Sequence, residues 1–426
     1  MKSFLTITNI GPIKSVDLEI NKINLFIGPQ SSGKSTIAKL ISFCQWLEKD
    51  IIIHQSASHI DIEYIKTNLF VYHKIGSYFV QDSSFAYASD LVSFSYHHGE
   101  GFLRVDITGN VRESKVGKIN YIPSERNYVA ISNIATLNME SNYIRDFIFD
   151  WLLIHTKFTK ETPIDILGLV KYYYDKNRGD IVTIDNGKEI TLEVASSGLQ
   201  AAIPLLVFLS YGAEWIFHNQ QDISFEKHDQ LQRAIFRYIF NDYDETQEEE
   251  SLKNKTIREN LKSIVDKISF LSKSNEDISD IGEFSQFVIN VSQPHYSTFI
   301  IEEPEENLFP ITQYNLVKHI FKTLDNGRDN TLVITTHSPY IMSSVNNLIQ
   351  GSNIISNNEN AVSYVEDILH YVPSFRYEDV SAYSLKSGYI ESINCDEYKL
   401  ISADSLDTAS DVINSDFERL LNYEGN

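Results

Sequence analysis

Ile23-Asn24-Leu25-Phe26-Ile27-Gly28-Pro29-Gln30-Ser31-Ser32-Gly33-Lys34-Ser35-Thr36 decides how the rest of this chain is read. The five-residue run from Ile23 to Ile27 reads as a buried strand ending at a glycine. Gly28 to Ser35 then fits G-x-x-x-x-G-K-[ST], a loop whose glycines let backbone N–H groups turn inward around phosphates. From Thr36 to Trp46 the spacing becomes helical, with Ile37, Leu40, Ile41 and Cys44 on one face. The positive N-terminus of that helix points back at the loop. Strand, loop and amphipathic helix in this order are the context the motif requires. Lys34 is placed to meet the β- and γ-phosphates of ATP and the Ser35 hydroxyl to ligate Mg²⁺. Gly28, Gln30, Ser31, Ser32, Gly33 and Thr36 complete the cradle.

Two further elements supply the rest of such a site. Thr298-Phe299-Ile300-Ile301-Glu302-Glu303-Pro304 is an apolar strand ending in two acids, at the edge of a sheet where ligands bind in open α/β folds. Glu302 is expected to hold Mg²⁺ through water, and Glu303 to orient or deprotonate the attacking water. Thr331-Leu332-Val333-Ile334-Thr335-Thr336-His337-Ser338-Pro339 places a histidine just past another buried strand. From there His337 can bond the γ-phosphate or the water.

Outward from these motifs the chain reads as mixed α/β. Phe4 to Ile7 and Val16 to Ile20 look like strands about the turn formers Asn9 to Pro12. Val92–Tyr96 and Phe102–Ile107 look like a pair of strands, and Asn186-Gly187 marks a hairpin between Ile181–Ile184 and Ile190–Val194. Residues 140 to 175 look helical. Between 214 and 292 the composition shifts to helical stripes, Leu231, Ala234, Ile235, Tyr238 and Ile239, then Ile257, Leu261, Ile264, Val265 and Ile268. The acidic run Asp242 to Glu250 connects them. We read this part as a helical insertion and a possible dimer or partner contact, between an ATPase part over 1–213 and another over 293–426.

The three motifs, with Ile300 to Pro310 and Thr336 to Pro339, resemble the ABC-type ATPases of the SMC, Rad50, RecF and OLD group. They are similar in particular to the stand-alone AAA-domain members of bacterial anti-phage defence. The resemblance implies an ABC-ATPase head, with a mixed N-terminal β-subdomain, a central parallel sheet and the insertion. It also implies that two protomers sandwich ATP and that each signature serine reaches the nucleotide of the other. Ala195-Ser196-Ser197-Gly198-Leu199-Gln200 matches that signature, making Ser197 the γ-phosphate contact and Gly198 the amide that caps it. Tyr121 to Arg126 also resembles a family segment, and Gln81 is the candidate for the lid's Mg²⁺-contacting glutamine. Glu302 stands where many relatives carry aspartate, and Asn307 and Phe309 where relatives often show histidines.

Composition limits the partners. With 36 Lys and Arg against 58 Asp and Glu, the net charge of −22 repels nucleic acid at long range, so any DNA contact needs a local basic patch. The richest candidate, Lys157 to Arg178, has five bases against three acids. Two cysteines exclude a disulfide scaffold or a four-cysteine zinc site within one chain. The apolar run Ala201 to Phe217 contains Pro204 and Glu214 and falls short of a bilayer span. The tail from Asp396 carries eight acids against two bases, which reads as a solvated face rather than a nuclease metal centre. The composition points to a cytoplasmic protein and leans toward a protein partner. The resemblance implies a homodimer that controls a separate effector protein, with a RecF-like or SMC-like DNA clamp as the alternative.

Overall fold

The computed structural model describes residues 2–131, 134, 139–184, 186–219, 225–239, 256, 259–263, 282–402 and 408–421. The chain begins with a hairpin, β1 (Ser3–Ile10) and β2 (Ile13–Ile20), in which Leu5, Ile7, Val16 and Leu18 turn inward. β3 (Ile23–Ile27) is buried at every residue, as a strand covered on both faces must be. α1 (Lys34–His54) runs past the expected Trp46 because Leu47, Ile51 and Ile52 continue its buried stripe.

β4 (Phe79–Ala88), β5 (Val92–His97) and β6 (Phe102–Ile107) add antiparallel strands beyond β1, and β7 (Gly117–Ile122) forms the opposite edge. The helix expected over 140–175 divides. α2 (Tyr143–Ile154) ends well before it, and β8 (Ile164–Ile166) and β9 (Val170–Asp175) follow. Leu167 and Gly168 take positive φ of 57° and 71° and turn the chain back on itself. That turn, with β-branched and aromatic residues on both sides, overrides the helical spacing. With β10 (Gly179–Ile184) and β11 (Glu189–Thr191) these strands make a separate antiparallel sheet in the order β11-β10-β9-β8.

α3 (Ser197–Ser210) continues through a wider turn at Tyr211–Trp215 to His218, so the boundary expected at 213/214 falls inside one helical stretch. Among the described residues, Ser197–His218 alone has the length and apolar composition to cross a membrane. Every residue from Ala201 to Leu209 is buried within this fold, as in a core helix. α4 (Phe225–Ile239) and α5 (Glu283–Ser292) come from the insertion. Leu231, Ala234 and Ile235 are buried in the same apolar core as the α1 stripe, so these three face their own chain rather than a partner. The acidic run Asp242–Glu250 and Ile257, Ile264, Val265 and Ile268 lie outside the described residues.

β12 (Tyr296–Glu302), α6 (Pro310–Leu324), β13 (Thr331–Thr336), α7 (Pro339–Asn357) and α8 (Val362–Leu369) follow. β14 (Val380–Lys386) and β15 (Tyr389–Ser392) then return to the sheet. The main sheet has the order β6-β5-β4-β1-β2-β15-β14-β3-β13-β12-β7, and β14, β3, β13, β12 and β7 run parallel. Alternate residues of the parallel strands feed two cores. Leu25, Phe299, Ile301 and Ile334 pack with α2, α3, α6 and α7, whereas Phe26, Ile300 and Val333 pack with α1 and the N-terminal strands. Ile27 pairs with Thr336 and Ser384, Glu302 with Thr335, and Ile301 with Ile122. The carboxyl ends of these strands therefore lie side by side, and the loops leaving them converge on one edge.

Candidate nucleotide-binding site

The loop after β3 is built around two glycines. Gly33 adopts φ +107°, and a β-carbon there would lie 2.7 Å from the Ile13 side chain. Gly28 has no room for one either, since it would fall 2.6 Å from the Leu385 carbonyl on β14. Ser31 takes φ 59°, and Ser32 N–H donates to the Pro29 carbonyl at 3.3 Å. The first-turn N–H groups of α1 have no intrahelical acceptor, as at any helix start. Gln30, Ser31 and Ser35 are exposed, while Gly33, Lys34 and Thr36 are buried.

Lys34 curls back on its own loop, its Nζ donating to the Gly28 and Pro29 carbonyls at 2.7 and 2.8 Å. Burial lowers its pKa, opposed by the charges of Glu303, Glu305 and Glu302. The Ser32 hydroxyl is buried without a partner. A cradle lined by glycines, an orphaned hydroxyl and a lysine held only by loop carbonyls fits a polyphosphate.

The acids stand opposite. Glu302 closes β12 and is buried. Tyr121 donates its hydroxyl to Glu302 Oε1 at 2.5 Å, and Ser35 lies close enough to act on this carboxyl. Burial pushes the Glu302 carboxyl up, with Tyr121 and Ser35 pulling it back and the charge of Glu125 adding to the rise. Ser35 and Glu302 are thus brought together, as a shared Mg²⁺ requires. Glu303 follows in a left-handed turn, φ +43°, with its N–H bonded to Thr335 O at 2.8 Å and its side chain partly open to solvent. His337 Nδ1 lies 3.6 Å from Glu303 Oε1 and 3.3 Å from Glu305 Oε1. The buried Glu305 accepts from Thr336 Oγ1 at 2.7 Å and His337 N–H at 2.8 Å, fixing the histidine loop against the acidic one.

Arg126, whose role the sequence leaves open, is completely buried between these parts. Its guanidinium donates to Pro123 O (3.2 Å), Ala201 O (3.0 Å), Glu302 O (2.8 Å) and Glu303 O (2.8 Å). One side chain thereby holds the turn at Glu303 and joins it to the first turns of α3. The signature segment opens that helix. Ser197 is exposed, and among the described residues no hydrogen bond joins it to the phosphate loop of its own chain. Gly198 lies against the loop after Glu303, where a β-carbon would sit 2.8 Å from Asn307 O.

Gln81 is exposed on β4, and its backbone carbonyl accepts the Gly99 N–H at 3.0 Å. The residue whose charge acts on Glu302 from the neighbouring loop is Glu125, just beyond the carboxyl end of β7. It accepts from Ser124 Oγ at 3.1 Å, and, added to burial, its charge raises the Tyr143 phenol. The signal available in sequence was its place after the buried strand Gly117–Ile122.

No protein-family model and no curated protein matches the chain. Among solved structures it is similar to an SMC head domain from Thermotoga maritima (7% identity, 92% of this chain and 97% of that one, TM-score 0.38). It is also similar to an SMC head bound to the C-terminal winged-helix domain of ScpA (10%, 93% and 98%, TM-score 0.39). A third likeness is to the recombination mediator RecF with a bound ATP analogue (14%, 92% and 97%, TM-score 0.25).

Proposed function

We propose that this chain is a Mg²⁺-dependent ATP hydrolase of the ABC type whose site is completed by a second copy of itself. The observation that carries the reading is the single sheet edge bearing the glycine-lined loop, Glu302 with Ser35 beside it and the Glu303–His337 pair. On binding ATP, Lys34 exchanges its bonds to Gly28 and Pro29 carbonyls for phosphate oxygens. Ser35, and Glu302 through water, would hold Mg²⁺, which would supply positive charge against the charge developing on the phosphates. Glu303, half open to solvent, orients a water and accepts its proton, and His337 bonds the γ-phosphate or that water. Ser197, exposed and not hydrogen-bonded to its own loop among the described residues, is free to meet the nucleotide of a second protomer, and Gly198 adds a backbone amide.

The motif resemblance extends this to a biological role. We read the ATP-gated dimer as a sensor or scaffold of a bacterial anti-phage defence system that acts on a separate effector protein in the cytoplasm. Two features weigh against the DNA clamp. The net charge is −22. In the basic segment, Lys160 and Arg178 both pair with Glu189, at 3.3 and 2.6 Å. Strong DNA binding with a steep salt dependence would restore the clamp reading.

Glu303→Gln tests the chemistry. The variant should bind ATP, accumulate as an ATP-stabilised dimer on size-exclusion chromatography with light scattering, and turn over little. Rapid hydrolysis by Glu303→Gln would remove Glu303 from its role.

A further inference from the structure

At the far end of α1 from the phosphate loop, three metal-ligating side chains meet. Asp50 and His54 are one turn apart on the same helix face, and His59 comes from the segment that follows. His54 Nδ1 lies 3.1 Å from Asp50 Oδ1, and His59 Nε2 lies 2.6 Å from Asp50 Oδ2. The two imidazole rings are 4.5 Å apart between centroids, and one ligand atom from each residue lies within 4.8 Å of the others. The Tyr64 hydroxyl donates to Asp50 Oδ2 at 2.9 Å.

We propose that Asp50, His54 and His59 bind a divalent transition-metal ion of the zinc class, separate from the Mg²⁺ of the nucleotide site. Two imidazoles and one carboxylate are the donors zinc takes in sites that keep an open position, whereas Mg²⁺ prefers oxygen ligands alone. The spacing is close to what the ion needs. Bonds of about 2.0–2.1 Å in a tetrahedron separate ligand atoms by about 3.3 Å. His54 Nδ1 and Asp50 Oδ1 already stand near that distance. His59 Nε2 has to withdraw from Asp50 Oδ2 by less than about 1 Å, and His54 Nδ1 has to give up its contact with the Asp50 backbone carbonyl at 2.9 Å. The Tyr64 hydroxyl acts as the outer hydrogen bond that orients the carboxylate. Asp50 lies 16 residues after Lys34, about 24 Å along the helix, so this centre cannot share an ion with Glu302.

The site would clasp the end of α1 to residues 56–65. It would also steady the insertion, because Arg237 of α4 donates to the His54 carbonyl at 2.9 Å. The role is one of anchoring, away from phosphate chemistry.

The test is zinc titration of the full chain, gel filtration and elemental analysis, beside His54→Gln/His59→Gln and Tyr64→Phe. Wild type should retain one zinc per chain, the double variant none, and Tyr64→Phe should bind about 10–100-fold more weakly. Cobalt-loaded wild type should show visible absorption bands of a nitrogen and oxygen site that the double variant lacks. If the double variant loses its far-UV circular dichroism, Asp50→Asn takes its place. Equal zinc retention by wild type and a folded variant would overturn the proposal and leave a hydrogen-bonded triad without a metal.

Discussion

Arg126→Lys separates holding the catalytic turn from binding the nucleotide. Arg126 satisfies four carbonyls from three parts of the chain, at 2.8–3.2 Å, with no solvent access. Lysine brings one nitrogen with three protons, which cannot span Pro123, Ala201 and both acids at once. At least two of these carbonyls lose one hydrogen bond while keeping a backbone partner, as Glu303 O keeps the Glu306 N–H, at about 0.5–1.5 kcal/mol each, so the fold should weaken by about 1–3 kcal/mol. The kinetic effect follows from Glu303. Its left-handed backbone costs about 1–3 kcal/mol and persists only while its surroundings hold it. Arg126 and the Glu306 N–H on its carbonyl, and the Thr335 carbonyl on its N–H, are the bonds that do so, and Arg126 alone ties the turn to α3. A drift of about 1 Å in the carboxylate corresponds to a loss of about 100-fold in turnover. Lys34 and its loop are untouched, so ATP affinity should stay near wild type. The assay is kcat from phosphate release beside the Kd of a fluorescent ATP analogue, with a thermal melt to confirm folding. A folded Arg126→Lys with wild-type kcat would refute the clamp, and a parallel fall in affinity and kcat would show general loosening instead.

Gly28→Ala should cripple nucleotide binding, because its β-carbon would fall 2.6 Å from the Leu385 carbonyl and push β14 and the loop apart. Retained ATP affinity in a calorimetric titration would contradict the crowded packing. Glu302→Gln should lose Mg²⁺-dependent turnover yet melt at a higher temperature than wild type near neutral pH without Mg²⁺. Burial raises the Glu302 carboxyl, so the native state keeps a proton that the unfolded chain releases. Its contribution to stability therefore falls as pH rises from about 4.3 through the raised value. Melts of both proteins over about pH 5 to 8 should diverge as pH rises, and parallel curves would refute the assignment.

The sheet edge that carries the proposed nucleotide site was legible because its signals are local. A buried strand, a glycine loop and a helix occupy adjacent positions, and Glu302, Glu303 and His337 each directly follow an apolar run. Arg126 was not legible, since its acceptors come from residues 123, 201, 302 and 303, which only the folded sheet edge brings together. Glu125 lies in the family-like segment Tyr121 to Arg126, but its role was not legible for a related reason: it depends on β7 lying beside β12. The reading of 140–175 as helix overlooked the turn at Leu167-Gly168, where two left-handed residues outweigh periodicity. Nor does pattern alone reveal that β14, from the last fifty residues, inserts beside β3 and walls the phosphate loop through Leu385. The insertion stripe looked available for a partner until packing placed Leu231, Ala234 and Ile235 in the core shared with α1.

The claim at the centre is that each ATP is served by two chains, Lys34 from one and Ser197 from the other. Lys34→Ala and Ser197→Arg should each be inactive alone, the first for want of phosphate binding and the second for want of an assembled site. Mixed in equal amounts with ATP and Mg²⁺, they should form heterodimers in which one site carries both lesions and the other carries neither. With random pairing about half the dimers are mixed, so phosphate release should recover to roughly a quarter of wild type. A mixture as inactive as its two components, with heterodimers demonstrated by differential tags, would contradict the shared site.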